Sequence, residues 1–185
     1  SSNYLRIIQP HLLVWVLLTY SIGVGLVKLQ GGNLDWISVL FGSLLGVFLI
    51  LMRGYLSAFF DHPASPTNSI HPDDPRYALL KGMQRQTLLV IAMTLLTAGA
   101  LDTVLLMVRH VINLSAVFIL GLAFLISFFA ATPPLQLDKK GYGEVGEAIL
   151  ICNLVPAIGY LLNEPSLHVL LVMLTLPITL LYLAL

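Results

Sequence analysis

The sequence predicts an all-α fold, a multi-pass transmembrane helical bundle of about six spans. Three observations predict it. Hydrophobic residues make up 58% of the 185 residues and charged residues 10%, with a mean hydropathy of +0.93, whereas soluble domains carry about 25% charged residues. The apolar residues gather in runs of about 20, the length that takes a helix across ~30 Å of hydrocarbon with every backbone amide paired internally. Nearly all charged residues fall between or at the ends of those runs.

The first run, 11–28, is too long and too poorly flanked for a cleaved signal peptide, because no small-residue cleavage site follows a short apolar core. It is expected to persist in the mature chain. His11 at its start reads as interfacial, with no partner at metal-binding spacing. The second run, 35–60, opens at Trp36, which suits an interfacial aromatic belt. Gly42 and Gly46 in GSLLG form a small-xxx-small face that predicts close helix packing. Arg53, Ser57 and Asp61 stand at i, i+4 and i+8, on one slowly drifting stripe. Arg53 at that depth is a functional candidate by default; the alternative is that it snorkels to the headgroups.

The third run, 86–104, ends near Asp102 in GALDT, expected in a turn with water access and given no role. The fourth covers 111–131. The fifth, 146–163, holds Cys152, the single cysteine, so neither a disulfide framework nor a thiolate metal site can be built within one chain. It reads as a small packing residue. The sixth, 166–185, begins near His168, taken as interfacial, and contains Pro177, which predicts a kink. None of the runs alternates as a membrane strand would, which argues against a barrel. Residues 1–185 are expected to form a single transmembrane helical domain.

Alternating spans put Arg6, Arg53, Arg76, Lys81, Arg85, Lys139 and Lys140 on one side and only Lys28 and Arg109 on the other. The positive-inside rule then places the amino terminus in the cytoplasm, with a bacterial cytoplasmic membrane as the expected location. Asp61, Asp73, Asp74, Asp138, Glu144 and Glu147 share the basic side, leaving Asp35, Asp102 and Glu164 outside. Two loops, Asp61 to Arg85 and Thr132 to Glu147, therefore carry nearly all the polar chemistry. They are either a site at the membrane surface or solvated connectors that obey the insertion rule. The net charge of zero leaves no electrostatic footprint for nucleic acid. A transporter is disfavoured, because the spans show no evident repeat and almost no midplane charge.

The most specific segment is Thr132 to Glu144, TPPLQLDKKGYGE, in which Pro133-Pro134 and a basic patch lead to Gly141-Tyr142-Gly143-Glu144. It resembles the second cytoplasmic-loop signature of the UbiA-type intramembrane prenyltransferases, a Pro-Pro pair followed by Gly-x-Gly-Glu. RIIQP before the first span and YLSAFFDHPASPTNS at the end of the second fall where that family has further motifs, so the likeness runs along the whole chain. It implies transfer of a polyprenyl group from its diphosphate to an aromatic or chlorin acceptor, in quinone or (bacterio)chlorophyll synthesis. It also implies Mg²⁺ at the departing pyrophosphate, with carboxylates to hold the metal and cations to neutralise the charge.

Carried over by position, the resemblance makes Asp61 a metal candidate, with Asp73 and Asp74 behind it, and Arg53, Arg76, Lys81, Lys139 and Lys140 candidates for the diphosphate. Pro133, Pro134, Gly141, Gly143 and Glu144 are the loop motif. The sequence also departs from the family. Of the aspartate motif only Asp61 remains, with Ser57, Ala58 and Ser65 at the other three positions, and Ala130 and Gln136 replace a tyrosine and a basic residue of the second signature. Glu144 and Glu147 read as carboxylates opposing a helix dipole. The family has further helices and a second aspartate-rich loop, so the chain is expected to be the N-terminal part of a longer product.

Two function classes follow. One is an enzyme, a prenyltransferase acting on a polyprenyl diphosphate. The other is an inactive relative, a structural subunit of a larger membrane complex that holds a quinone, carotenoid, chlorin or lipid, since packing survives changes that remove a site.

Overall fold

The structure is a computed structural model and describes residues 10–66, 73, 75–109, 111–133, 142–164, 166 and 168–184. Among them are helices and no strand. Five helices are long and apolar enough to cross a membrane, which makes the chain an integral membrane protein. They are α1 (Pro10–Leu29), α2 (Trp36–Phe60), α4 (Arg85–Val108), α5 (Leu114–Ala131) and α6 (Gly143–Leu161). A short helix, α3 (Pro75–Lys81), lies between α2 and α4. The last apolar run forms α7 (Val169–Ala184), whose 16 residues span about 24 Å, less than a hydrocarbon core.

Local chemistry explains the boundaries. α1 starts on Pro10, whose missing amide costs nothing at a first turn. It ends in a Schellman motif, with Gly31 at φ 78° and the Gly32 and Gly31 amides donating to the Val27 and Lys28 carbonyls. Asp35 caps α2 by accepting from the Ile37 amide at 3.2 Å and the Ser38 hydroxyl at 2.6 Å. Asn113 caps α5 through the Ala116 amide at 2.7 Å while its own amide group donates to the Leu161 and Glu164 carbonyls, tying α5 to the end of α6. Within α6 a π-helical turn covers Leu150–Leu154, just ahead of Pro156. A proline cannot serve the carbonyl one turn back, and the wider turn accommodates that loss.

α6 is the axis of the bundle. Of its apolar window 72% is buried, against 22–44% for the other four spans. α1 lies on it with almost no separation: a Cβ added to Gly23 would overlap the Pro156 carbonyl, and one on Gly159 would sit 2.8 Å from the Tyr20 carbonyl. The expectation for GSLLG holds. Gly42 packs on Tyr20 and Leu162, and Gly46 on Val16 and Val155, so α2 presents its small residues to α1 and α6. The main core joins Val16, Leu45, Leu49, Leu106, Leu120 and Leu150. A second cluster, Tyr55, Leu56, Leu80, Met83, Leu88 and Ala131, seats the connection that contains α3.

Three sequence expectations are corrected. Asp102 is not in a water-accessible turn: it lies inside α4, 4% exposed. Arg53 does not snorkel outward, being 6% exposed and turned into the bundle. Glu147 is not a capping carboxylate, because α6 begins one turn earlier and carries it to an internal contact.

Candidate functional site

The bundle end that carries the long connections gathers the polar residues around Arg53. Arg53 lies two turns before the end of α2, on the face turned toward α6. Its Nη1 pairs with Glu147 Oε2 at 3.2 Å, and its Nη2 donates to the Gly143 carbonyl at 3.3 Å. The carbonyl is available because Gly143 is in the first turn of α6 and buried. Glu147 Oε1 accepts a short hydrogen bond from the Tyr182 hydroxyl of α7, and the Tyr182 ring stands edge-on to Trp15 of α1 at 5.7 Å. One buried ion pair therefore connects α2, α6 and α7, and the tyrosine ring extends the contact to α1.

The ion pair is largely desolvated, with side-chain exposures of 8% for Arg53 and 23% for Glu147. A charge in such a place is retained only when its partner and hydrogen bonds are in position. Glu147 therefore neutralises the cation that the sequence offered to a diphosphate. Gly143, from the loop motif, contributes a backbone carbonyl.

One turn nearer the loop, the Ser57 hydroxyl donates to Asp61 Oδ2 at 3.3 Å, and the Asp61 amide closes α2 on the Ser57 carbonyl. His62 follows, 8% exposed. Its Nδ1 accepts from the Ala64 amide at 3.1 Å, so its proton is on Nε2, which meets the Met83 carbonyl at 3.0 Å. The Arg85 guanidinium stacks 4.3 Å above the Phe59 ring. These contacts fasten the two ends of the Asp61 to Arg85 connection to each other.

The remaining candidates are dispersed. Arg76 and Lys81 are exposed on α3, and Asp73 is exposed in the turn before it. Pro133 is exposed after α5, and Glu144 is exposed in the first turn of α6, where its charge opposes the dipole. Asp74, Pro134, Lys139, Lys140 and Gly141 lie outside the described residues. Among the described residues no group of three or more His, Cys, Asp or Glu side chains is placed to hold a metal ion. Asp61 with its serine partner does not by itself fit a magnesium cage, which takes several oxygen ligands in near-octahedral order.

Sequence reasoning missed Glu147 as the partner of Arg53, and Tyr182 and His62 altogether. Nothing local marked Tyr182, an aromatic residue in an apolar run. Asp102 did carry a signal. With Leu88, Ala92, Gly99 and Leu106 it repeats at the spacing of one helix face, and those are the residues α4 buries.

The chain matches no family model, no curated protein and no solved structure.

Proposed function

We propose that this chain is a UbiA-type prenyltransferase-like membrane protein, handling a polyprenyl diphosphate at the cytoplasmic mouth of its bundle for transfer to an aromatic or chlorin acceptor. One observation supports it above the others. The Arg53 bond to the Gly143 carbonyl brings the end of α2, where the aspartate motif falls, against the start of α6, where Gly-x-Gly-Glu falls. Two segments 90 residues apart thus meet at one end of the bundle. In this reading α7 belongs to a sixth crossing, and the whole is the N-terminal part of one helical domain. The amino terminus faces the cytoplasm of a bacterial cell, as the basic loops require.

The chemistry calls for cations around the diphosphate and an apolar path for the tail. Arg76 and Lys81 on α3 are exposed at this end, and Lys139 and Lys140 belong to the second loop. Lipid surrounds the outer helix faces and admits the prenyl tail. A magnesium site would take donors beyond the described residues, Asp74 among them.

A second reading rests on the Arg53–Glu147 pair. With its buried cation already neutralised, and Ser57, Ala58 and Ser65 in place of motif carboxylates, the chain would be a non-catalytic subunit of a membrane complex that holds a quinone, carotenoid, chlorin or lipid. The protein extracted whole from its native membrane distinguishes the two. Thermal stabilisation by a prenyl diphosphate with Mg²⁺, and prenyl transfer that Asp61→Ala abolishes, supports the enzyme. A melting point indifferent to both, together with a copurifying pigment or quinone, supports the subunit.

A further inference from the structure

α4 and α5 both pack on α2 and leave an apolar groove between them. Met52 and Leu56 of α2 and Ala92 of α4 form its buried floor, while Met93, 46% exposed, and Phe128, 37% exposed, are rims that open to the lipid. Leu96 lines the deeper part. Just beyond it the Phe124 ring of α5 closes on α4, 3.3 Å from where a Cβ on Gly99 would stand. The groove also has an outer end. Met52, Leu56 and Phe59 stand at i, i+4 and i+7 on α2, and Arg85, Ala92 and Leu96 at i, i+7 and i+11 on α4, so both walls run up to Phe59 and Arg85.

Those two residues are in contact, the Arg85 guanidinium stacking 4.3 Å over the Phe59 ring. Arg85 is half-buried at the first position of α4. Among the described residues no carboxylate pairs with it, and its buried Nε has no hydrogen-bond partner. A partly desolvated guanidinium calls for an anion. The protein supplies none nearby in sequence, since the segment from Pro75 to Arg85 holds Arg76, Lys81 and Arg85 and no carboxylate. That segment is also held down on the spans. Leu80 and Met83 are buried in one cluster with Leu56 and Leu88, each about a turn inside its helix end, which keeps the cations at headgroup level instead of out in water.

We propose that the groove is a binding site for one anionic phospholipid of the adjoining leaflet, its phosphate on the Arg85 guanidinium and one acyl chain laid between α4 and α5. The planar fork of an arginine suits a phosphate group, and Lys81, exposed at the end of α3, adds positive charge to the same headgroup region. The depth fits as well. From Arg85 to Leu96 the helix rises about 16 Å, and one leaflet of a ~30 Å hydrocarbon core is about 15 Å deep, so the groove closes where an acyl chain of that leaflet ends. The groove lies on the side of α2 that meets α4 and α5, whereas Arg53 turns toward α6, and the site does not depend on the prenyltransferase reading.

Native mass spectrometry of the whole chain tests it, with the protein released from nanodiscs of phosphatidylglycerol and phosphatidylcholine in equal parts and with identical acyl chains. The wild type should retain one phosphatidylglycerol in preference to phosphatidylcholine. Arg85→Gln should weaken phosphatidylglycerol binding about fivefold, the effect of one basic side chain at an anionic surface. Met93→Trp, which fills the groove from its open rim, should lower retention of both lipids. Equal retention of the two lipids by the wild type, or phosphatidylglycerol retention unchanged by Arg85→Gln, overturns the proposal. Displacement of the retained phosphatidylglycerol by geranylgeranyl diphosphate does so too, and would give the groove to a prenyl tail. Should Arg85→Gln fail to assemble, Met93→Trp carries the test, and undiminished lipid retention in it is equally decisive against the site.

Discussion

Arg53 Nη1 and Glu147 Oε2 lie 3.2 Å apart across the contact between α2 and α6, an ion pair held inside the bundle. Its position decides how the spans are joined where the long connections emerge, because Gly143 and Tyr182 bond to the same two side chains.

Removing one partner leaves the other charge buried. Glu147→Ala should destabilise the protein by about 3 to 5 kcal/mol, and the double variant Arg53→Met, Glu147→Leu should recover most of that loss, because an apolar pair needs no desolvation. Equilibrium unfolding in mixed micelles measures both. A single variant within 0.5 kcal/mol of the wild type would mean that water reaches Arg53.

Tyr182→Phe keeps the ring beside Trp15 and deletes only the hydroxyl that bonds Glu147. A hydrogen bond to a charged group contributes about 1.5 to 3 kcal/mol, so the loss should fall in that range. Protease cleavage near α7 should rise in step, since this bond and the Asn153–Thr179 bond at 2.8 Å are what tie α7 to α6 by side-chain hydrogen bonds.

Gly23→Ala pushes a methyl into the Pro156 carbonyl of α6, whereas Gly25→Ala, two residues on, meets nothing within 4 Å. Overpacking costs about 1 to 3 kcal/mol, and backbone cannot step aside as a side chain can. Relief of glycine's backbone entropy gains about 0.5 to 1 kcal/mol. Thermal melts should therefore move in opposite directions for the two variants, and a Gly23→Ala melt equal to that of Gly25→Ala would contradict the close approach of α1 and α6.

Asp35 carries the acid dependence that the structure makes explicit. Hydrogen bonding from Ser38, then from the Ile37 amide, and the Arg109 charge hold its carboxyl below the ordinary value near 3.8. A carboxyl lowered in the folded state contributes stability that is present above the unfolded value and is lost as pH falls through the folded one. Melting temperature should thus drop below about pH 4, by a small step because the group is partly exposed to solvent, and Asp35→Asn should flatten that step. An unchanged slope in Asp35→Asn would assign the acid loss to other carboxyls.

Five membrane-crossing helices were legible in the sequence because hydropathy is a local sum: about 20 apolar residues in a row need lipid whatever surrounds them. Gly42 and Gly46 announced a packed face for a similar reason, since only small residues let two helix backbones close. The caps Asp35 and Asn113, although satisfied within three residues of themselves, were established only by the structure. The direction in which a polar side chain points is not local. In lipid every helix face is apolar, so no amphipathic pattern shows whether Arg53 turns to the headgroups or to Glu147, 94 positions further on in the sequence. Asp102 shares one helix face with Leu88, Ala92, Gly99 and Leu106, but that this face of α4 is the one buried was decided by its packing on α2. Sequence by itself determined that this is a helical membrane protein with its charge crowded into two loops. Tertiary packing alone decided which charges meet inside, because that pairing depends on rotations of helices that hydropathy leaves free.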